Sequence, residues 1–333
     1  MDTETTKIIC DVVCACIKFR KNQNKNRMEA KPMAKEVYWH LPGLCNFRVI
    51  NQILINLMKD YPSKFKEGYK IGSVYGTFPG AIWNGGRAVF GTAFKGDIDK
   101  IIKMYNSRGI PVRFTWTNSL LEEQHIYDTF CNMIMKMANN GKNQVLVNRP
   151  ILEDYIREEY PDYSVISSTT KRIVSLEELK AELDKDYYLV VLDYDLNHEE
   201  AVLKELEPVA GRIEILVNEI CTPNCPKRAE HYRAESLSQL EFDKDTYFKC
   251  PHQNAKRGFS ECKKRPSFIS NEEIGSYIDR GYVNFKIAGR GLSPEFLMDS
   301  YAYFLAKEEH QEFIRNKMNQ ILIDLTRPPQ RRG

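Results

Sequence analysis

The stretch VYWHLPGLCNFRVINQILINLMKD, residues 37–60, contains the pattern on which the fold decision turns. Its first seven residues are mostly apolar, aromatic or β-branched, and the run stops at Pro42 and Gly43, as a short buried strand would. From about Phe47 to Asp60 the period changes. Val49, Ile50, Ile53, Leu54 and Leu57 fall at the 3, 4 and 7 spacing that places side chains on one face of a helix. A strand followed by an amphipathic helix is half of a strand–helix–strand unit.

The same pair recurs along the chain. IGSVYGT (71–77) precedes a Gly-rich loop and a helix near Ile98 to Tyr105, and IPVRFTWTNS (110–119) precedes a helix through Met137. QVLVN (144–148) leads to a helix near Leu152 to Glu159. YSVISST (163–169) leads to a helix that Ser175 and Glu178 cap. YYLVVLDYD (187–195) precedes a helix from Glu199 to about Val209, RIEILVNE (212–219) enters a cysteine region, and VNFKIAG (283–289) precedes a long helix from Pro294 to about Leu325. Eight strands separated by helices predict a parallel (βα)8 TIM-like barrel, whose usual size of about 250 residues leaves room for one insertion between strands 7 and 8. An open doubly wound parallel sheet shares the local pattern and is the alternative. The expected organisation is a weakly ordered extension over 1–32, one barrel domain over 33–326 that includes the 220–270 cysteine region, and a basic tail over 327–333.

Charge and hydropathy narrow the function classes. A net charge of +3 is too small to mark a nucleic-acid-binding protein, although both ends are locally basic. No apolar run approaches the roughly 18 residues of a membrane span. The apolar segment from Ile8 to Phe19 follows Asp2 and Glu4 and precedes a basic cluster, the wrong flanks for a secretory signal. A cytoplasmic location is therefore expected, and nine cysteines there read as thiols and metal ligands more than as disulfides. Cys10, Cys14 and Cys16 have a spacing that could hold a metal, but a short amphipathic helix with a solvated basic end is the preferred reading.

The sharpest chemical signal follows the seventh strand. Cys221 and Cys225 come at once, Cys250 follows after 24 residues and Cys262 after 11 more. Pro223, Pro226 and Pro251 stiffen the loops between them. Thiolates suit an iron–sulfur cluster or zinc, and His231 and His252 are substitute zinc ligands. The start of a radical S-adenosylmethionine CxxxCxxC signature is present, but its third position is Arg228.

In a barrel of this kind chemistry sits at the C-terminal ends of the strands. Those positions hold His40, Tyr75, Trp116, Asn118, Asn148, Asp193, Asp195, Asn218, Glu219 and Lys286, with Ser168 and Thr169 beside them. Arg87 lies in the loop YGTFPGAIWNGGRAVFG (75–91), where glycines permit close backbone approach to an anion or a nucleobase. Asp193 and Asp195 are two apart, so their side chains share a direction; they would act as an acid/base pair, bind a cation, or cap a helix. Glu219, next to the cysteines, is the preferred acid/base. His40, Tyr75, Arg87, Trp116, Asn118, Asn148, Asn218 and Lys286 are the expected substrate contacts. GRG at 289–291 falls where barrels often bind phosphate.

The segment LVNEICTPNCPKRAEHY (216–232), with its two later cysteines, resembles the cysteine region of the U32 peptidase-like family, in which a barrel strand ends in a similar Asn-Glu-x-Cys segment followed by Cys-Pro. The resemblance implies a barrel with a four-cysteine iron–sulfur cluster (4Fe-4S) on Cys221, Cys225, Cys250 and Cys262. Several members resemble oxygen-independent hydroxylation factors acting on RNA bases or quinone precursors, and others are described as proteases. The longer signature of the peptidase-named members is absent around these cysteines. The leading expectation is an iron–sulfur enzyme acting on a nucleobase or a small aromatic or anionic substrate, served by an electron-donor protein. A binding or assembly protein with structural zinc and a U32-type hydrolase are the alternatives.

Overall fold

Eight parallel strands close into a barrel in sequence order. The computed structural model describes residues 35–243, 248–252 and 254–327, and the barrel unit begins at Glu36. The strands are β1 (Val37–Pro42), β2 (Tyr69–Gly76), β3 (Val112–Trp116), β4 (Gln144–Val147), β5 (Ser164–Ser167), β6 (Leu189–Val191), β7 (Ile213–Leu216) and β8 (Asn284–Lys286). The ring closes where Tyr38, Trp39 and His40 pair with Asn284, Phe285 and Lys286. The (βα)8 expectation holds, and the open sheet is excluded. Residues 1–34, with Cys10, Cys14 and Cys16, lie outside the described residues, as does the basic tail beyond Arg327.

The helices are α1 (Arg48–Asp60), α2 (Lys95–Asn106), α3 (Glu123–Ile126), α4 (Thr129–Ala138), α5 (Pro150–Glu159), α6 (Leu176–Leu183) and α7 (Glu200–Leu206). The insertion after β7 carries α8 (Arg228–Glu241), α9 (Phe259–Cys262) and α10 (Asn271–Asp279), and α11 (Pro294–Leu305) and α12 (Gln311–Thr326) follow β8. The Ser175 hydroxyl accepts the Glu178 amide proton at the start of α6, as its spacing predicts. The single C-terminal helix expected to about Leu325 is in fact two. Extended backbone at Ala306 ends α11, and this residue bridges to Phe65, while Lys66 N donates to Leu305 O. The helix yields there because the chain finds other partners for its backbone.

Strand periodicity sorts side chains between two cores. Trp39, Val74, Phe114, Trp116, Val145, Ile215 and Phe285 belong to the large apolar core that the helices cover. Trp39 is fully buried, with its ring 5.3 Å from Phe285 and 5.4 Å from Phe304. Each such side chain contributes roughly 1.5–3 kcal/mol by burial. Leu146, Ile166, Leu189 and Val191 form a separate small apolar cluster on the inward face. Apart from Leu216 at the mouth, the rest of the inward face is largely polar, with His40, Ser73, Arg113, Gln144, Glu214 and Lys286 all buried. Among the described residues no helix is long and apolar enough to cross a membrane.

Candidate active site at the barrel mouth

The polar interior is a bonded network below the C-terminal mouth. Arg113 of β3 donates from Nε to Gln144 Oε1 at 2.8 Å and from Nη1 to Glu214 of β7. Its Nη2 lies 3.0 Å from His40 Nδ1. Since a guanidinium only donates, His40 Nδ1 accepts, and the ring proton belongs on Nε2, which faces Asn284 Oδ1 and Glu214 Oε2, each at 3.4 Å. Burial, reinforced by Arg113, pulls the His40 pKa down to about 3, so the ring is neutral. Lys286 Nζ stands 3.2 Å from Glu214 Oε1 and 4.4 Å from the centre of the Tyr75 ring. Burial lowers its pKa to about 8, against the pull of Glu214. Burial also opposes the charge on Glu214, but Arg113, His40 and Lys286 outweigh it and hold this carboxyl far below its usual range.

Above the network lies a cavity of about 820 Å³, including its open mouth. Tyr75, Thr115 and Lys286 line it from the strands, and Thr117, Thr169, Glu219 and Arg290 from the loops that follow. Gly86 and Arg87 approach from the loop after β2, and Arg228, His231 and Tyr232 from α8. Tyr75 is positioned by donating its hydroxyl to Ile287 O at 2.7 Å. Arg290 differs from the other cations. Arg87 has Glu235 at 3.9 Å and Arg228 has two aspartates, but among the described residues Arg290 has no carboxylate in ion-pair range. It donates instead to Asn84 Oδ1, Gly85 O and Thr115 Oγ1, all at 3.2 Å. Among the described residues, Thr117 Oγ1 and Thr169 Oγ1, both buried in this cavity, have no hydrogen-bond partner. A cation without an ion-pair partner beside unpaired hydroxyls is the chemistry of an anion site.

A second, partly open cavity adjoins the first. Arg87, Ile220, Cys221, Arg228 and His231 line both. Cys225, Cys250, His252, Phe248, Arg257 and Arg265 face the second alone. Thus three of the four cysteines surround one space. Cys262 does not line it; its thiol donates to Asn218 O at 3.2 Å and only 1% of the residue is exposed. Burial raises the Cys221 thiol pKa and pushes that of Cys262 up to about 12. All four are free thiols, and among the described residues no three His, Cys, Asp or Glu side chains converge on one point at cation-binding distance.

The residues expected from sequence divide into four groups. Tyr75, Arg87, Glu219, Cys221 and Lys286 face the mouth cavity. Glu219 also orders the cysteine loop, because its Oε1 accepts the amide protons of Ile220 and Cys221, each at 2.9 Å. Asp193 and Asp195 are held by Arg228, whose Nη2 lies 2.7 and 3.1 Å from their carboxylates. His40 belongs to the network below. The others have structural partners. Trp116 faces the helices, stacked on Phe114 at 5.1 Å, and its Nε1 donates to Met135 Sδ. Asn118 donates to Ile82 O and Ser236 O, and Asn148 to Thr170 Oγ1. Asn218 bonds both backbone groups of Ala288 and so ties the β7 and β8 ends together. Thr115, Thr117 and Arg228 were not expected from sequence as site residues, whereas Arg290 is the centre of the GRG expected to meet an anion. Alternation along β3 would have indicated the threonines, since they have the opposite parity to Trp116.

No family model matches the chain. In sequence it is 25% identical, over 253 residues and 73% of each chain, to a Methanocaldococcus jannaschii protein named as an uncharacterized protease, MJ1657. In fold it is similar to the U32 peptidase Mk0906, with a TM-score of 0.50 and 15% identity over 79% of this chain and 96% of that one. At that identity the structural likeness bears on the barrel alone.

Proposed function

We propose that the protein is an iron–sulfur enzyme that binds a small anionic substrate, or a nucleobase carrying a phosphate, at the barrel mouth. The observation that carries this reading is the shared wall, in which Cys221, Arg87, Arg228 and His231 face both the cysteine cavity and the mouth cavity. Thiols spread around a space suit a cluster, which takes one thiolate per iron, better than zinc, which needs its donors around a single point. Arg87, Arg228, Arg257 and Arg265 line the same space and would offset the negative charge of a thiolate-bound cluster. Cys221, Cys225, Cys250 and Cys262 would hold it, with Cys262 turning its thiol from Asn218 O. When bound, such a cluster supplies one-electron transfer, which calls for an electron-donor protein and suits a reducing cytoplasm.

The chain's own residues have distinct parts in this reading. Arg290, with the Thr117 and Thr169 hydroxyls, orients the anionic group. Glu219 moves a proton at the substrate, and Arg228 holds Asp193 and Asp195 in place beside the cavity.

The deciding experiment is purification without oxygen, followed by measurement of iron, acid-labile sulfide, zinc and visible absorption for the wild type and Cys221→Ser. About four iron and four sulfide per chain, with a visible band lost in the variant, are expected. A colourless protein with stoichiometric zinc would move the reading to a structural metal.

A peptidase is the second reading. The similar proteins carry protease and peptidase names, and His231 has its Nε2 3.3 Å from Glu235 Oε1 while lining the cavities with Cys221. A base held by a carboxylate near a thiol is the outline of a cysteine hydrolase. Peptide cleavage by metal-free protein, abolished in His231→Ala, would favour it over the cluster enzyme.

A further inference from the structure

Lys286 ends β8 with its amine at the floor of the mouth cavity and its side chain only 8% exposed. The charged groups around it are Glu214, Arg113 and Arg290, and the adjacent His40 is neutral. Glu214 is also bonded to Arg113, so two buried cations share one carboxylate. Desolvation and the second cation both favour the uncharged amine, and the pKa falls to about 8. A desolvated lysine beside another cation is an amine activated toward carbonyl carbon. Among the described residues Arg290 has no ion-pair partner and the Thr117 hydroxyl no hydrogen-bond partner, and both line the same cavity.

We propose that Lys286 forms an imine with a small oxo acid whose carboxylate lies against Arg290. The inference rests on taking the mouth cavity as the substrate site, and it is independent of the cluster. The Nζ lone pair bonds to the carbonyl carbon as the C=O π pair moves to oxygen. Both amine protons end on that oxygen, water leaves, and a C=N bond remains. Nothing is oxidised or reduced. Glu219, which lines the same cavity, is the carboxylate available to carry the protons.

Full-length protein incubated at pH 8 with pyruvate and sodium cyanoborohydride tests this directly, because hydride delivered to the imine carbon makes the link permanent. At that pH about half of Lys286 is uncharged, against under about 1% of an ordinary lysine, so labelling should favour it by on the order of a hundredfold. Apart from any adduct on the N-terminal α-amine, whose ordinary pKa is as low, the expected result is a single lysine adduct, mapped to Lys286 by peptide mass spectrometry and slowed by excess acetate, which has the carboxylate without the carbonyl. Adducts spread over surface lysines, with Lys286 unmodified, would overturn the proposal. The wild-type peptide map decides the matter even if Lys286→Arg does not fold. Iron measured on the same sample separates the two readings. Labelled protein without iron removes the cluster alone, and cluster-bearing protein with unlabelled Lys286 removes the imine alone.

Discussion

Arg113 on β3 and Glu214 on β7 form an ion pair across the inside of the barrel, with neither side chain exposed. Taking both charges out of water is expensive, and the pair persists because its remaining positions are filled by Gln144, His40 and Lys286. Glu214→Gln should therefore lower stability by on the order of 3–5 kcal/mol, since it leaves two cations without a buried carboxylate. Chemical denaturation of the two proteins measures this. A loss below about 1 kcal/mol, the scale of an exposed pair, would mean that water reaches the network.

Acid should act through His40. Its folded pKa of about 3 lies below the ordinary 6.5, so between these values the unfolded chain takes up a proton that the folded chain does not. Stability is then complete above pH 6.5 and falls as the pH drops toward 3, by up to about 1.4 kcal/mol per pH unit. Glu182, lowered to about 2 although burial opposes it, because Lys171, Lys185 and Ser167 bond its carboxylate, adds a loss of the same sign below pH 4.5. Melting temperature followed against pH should show a shallower slope between pH 6.5 and 4.5 in His40→Gln. An unchanged slope would remove His40 from the explanation.

Two glycines should respond in opposite directions. A Cβ on Gly85 would meet Thr117 O at 2.2 Å and Asn118 N at 2.5 Å, both backbone atoms that cannot turn aside. Gly85→Ala should lift the loop carrying Arg87 from the end of β3 and take Gly85 O away from Arg290, lowering both stability and the rate of lysine labelling. Gly96, in α2, has nothing within 4 Å of its would-be Cβ. Gly96→Ala should leave labelling unchanged and raise stability by about 0.4–1 kcal/mol. Thermal denaturation and labelling of both variants test the contrast.

Arg228 begins α8 and reaches back to the end of β6, with its guanidinium 4.4 Å from the centre of the Tyr194 ring. Arg228→Ala should destabilise the wall between the cavities by on the order of 3–5 kcal/mol, because two carboxylates lose their partner. Hydrogen exchange should quicken in 193–197 and 221–228 while β1 to β4 stay protected. Arg228→Lys should recover only part of the loss, since an ammonium can bridge the two carboxylates, as Nη2 does, but lacks the flat guanidinium that stacks on Tyr194. Full recovery would reduce the contact to a simple charge.

Much of the site was legible at the level of strand ends. Tyr75, Arg87, Glu219, Cys221 and Lys286 were expected at the mouth and face it. Trp116 and Asn118 were expected there too, and one residue of parity puts them among core and backbone partners while Thr115 and Thr117 take the cavity. Arg228 carries no local signal at all. Its two aspartates are more than thirty residues earlier in the chain and meet it only once the β7 loop folds across the end of β6.

By itself, the sequence determined the barrel, because strand and helix periods are local and eight alternations leave few ways to bury their apolar faces. It also determined that four cysteines follow β7 in one insertion. Tertiary structure decided which polar side chains neutralise one another and which are left to meet a ligand. Arg113 met Glu214 across the barrel, Arg228 met Asp193 and Asp195, and Arg290 met neutral groups. Charge balance in a buried site is a sum over distances of a few ångströms, and those distances arise only when remote segments are brought together.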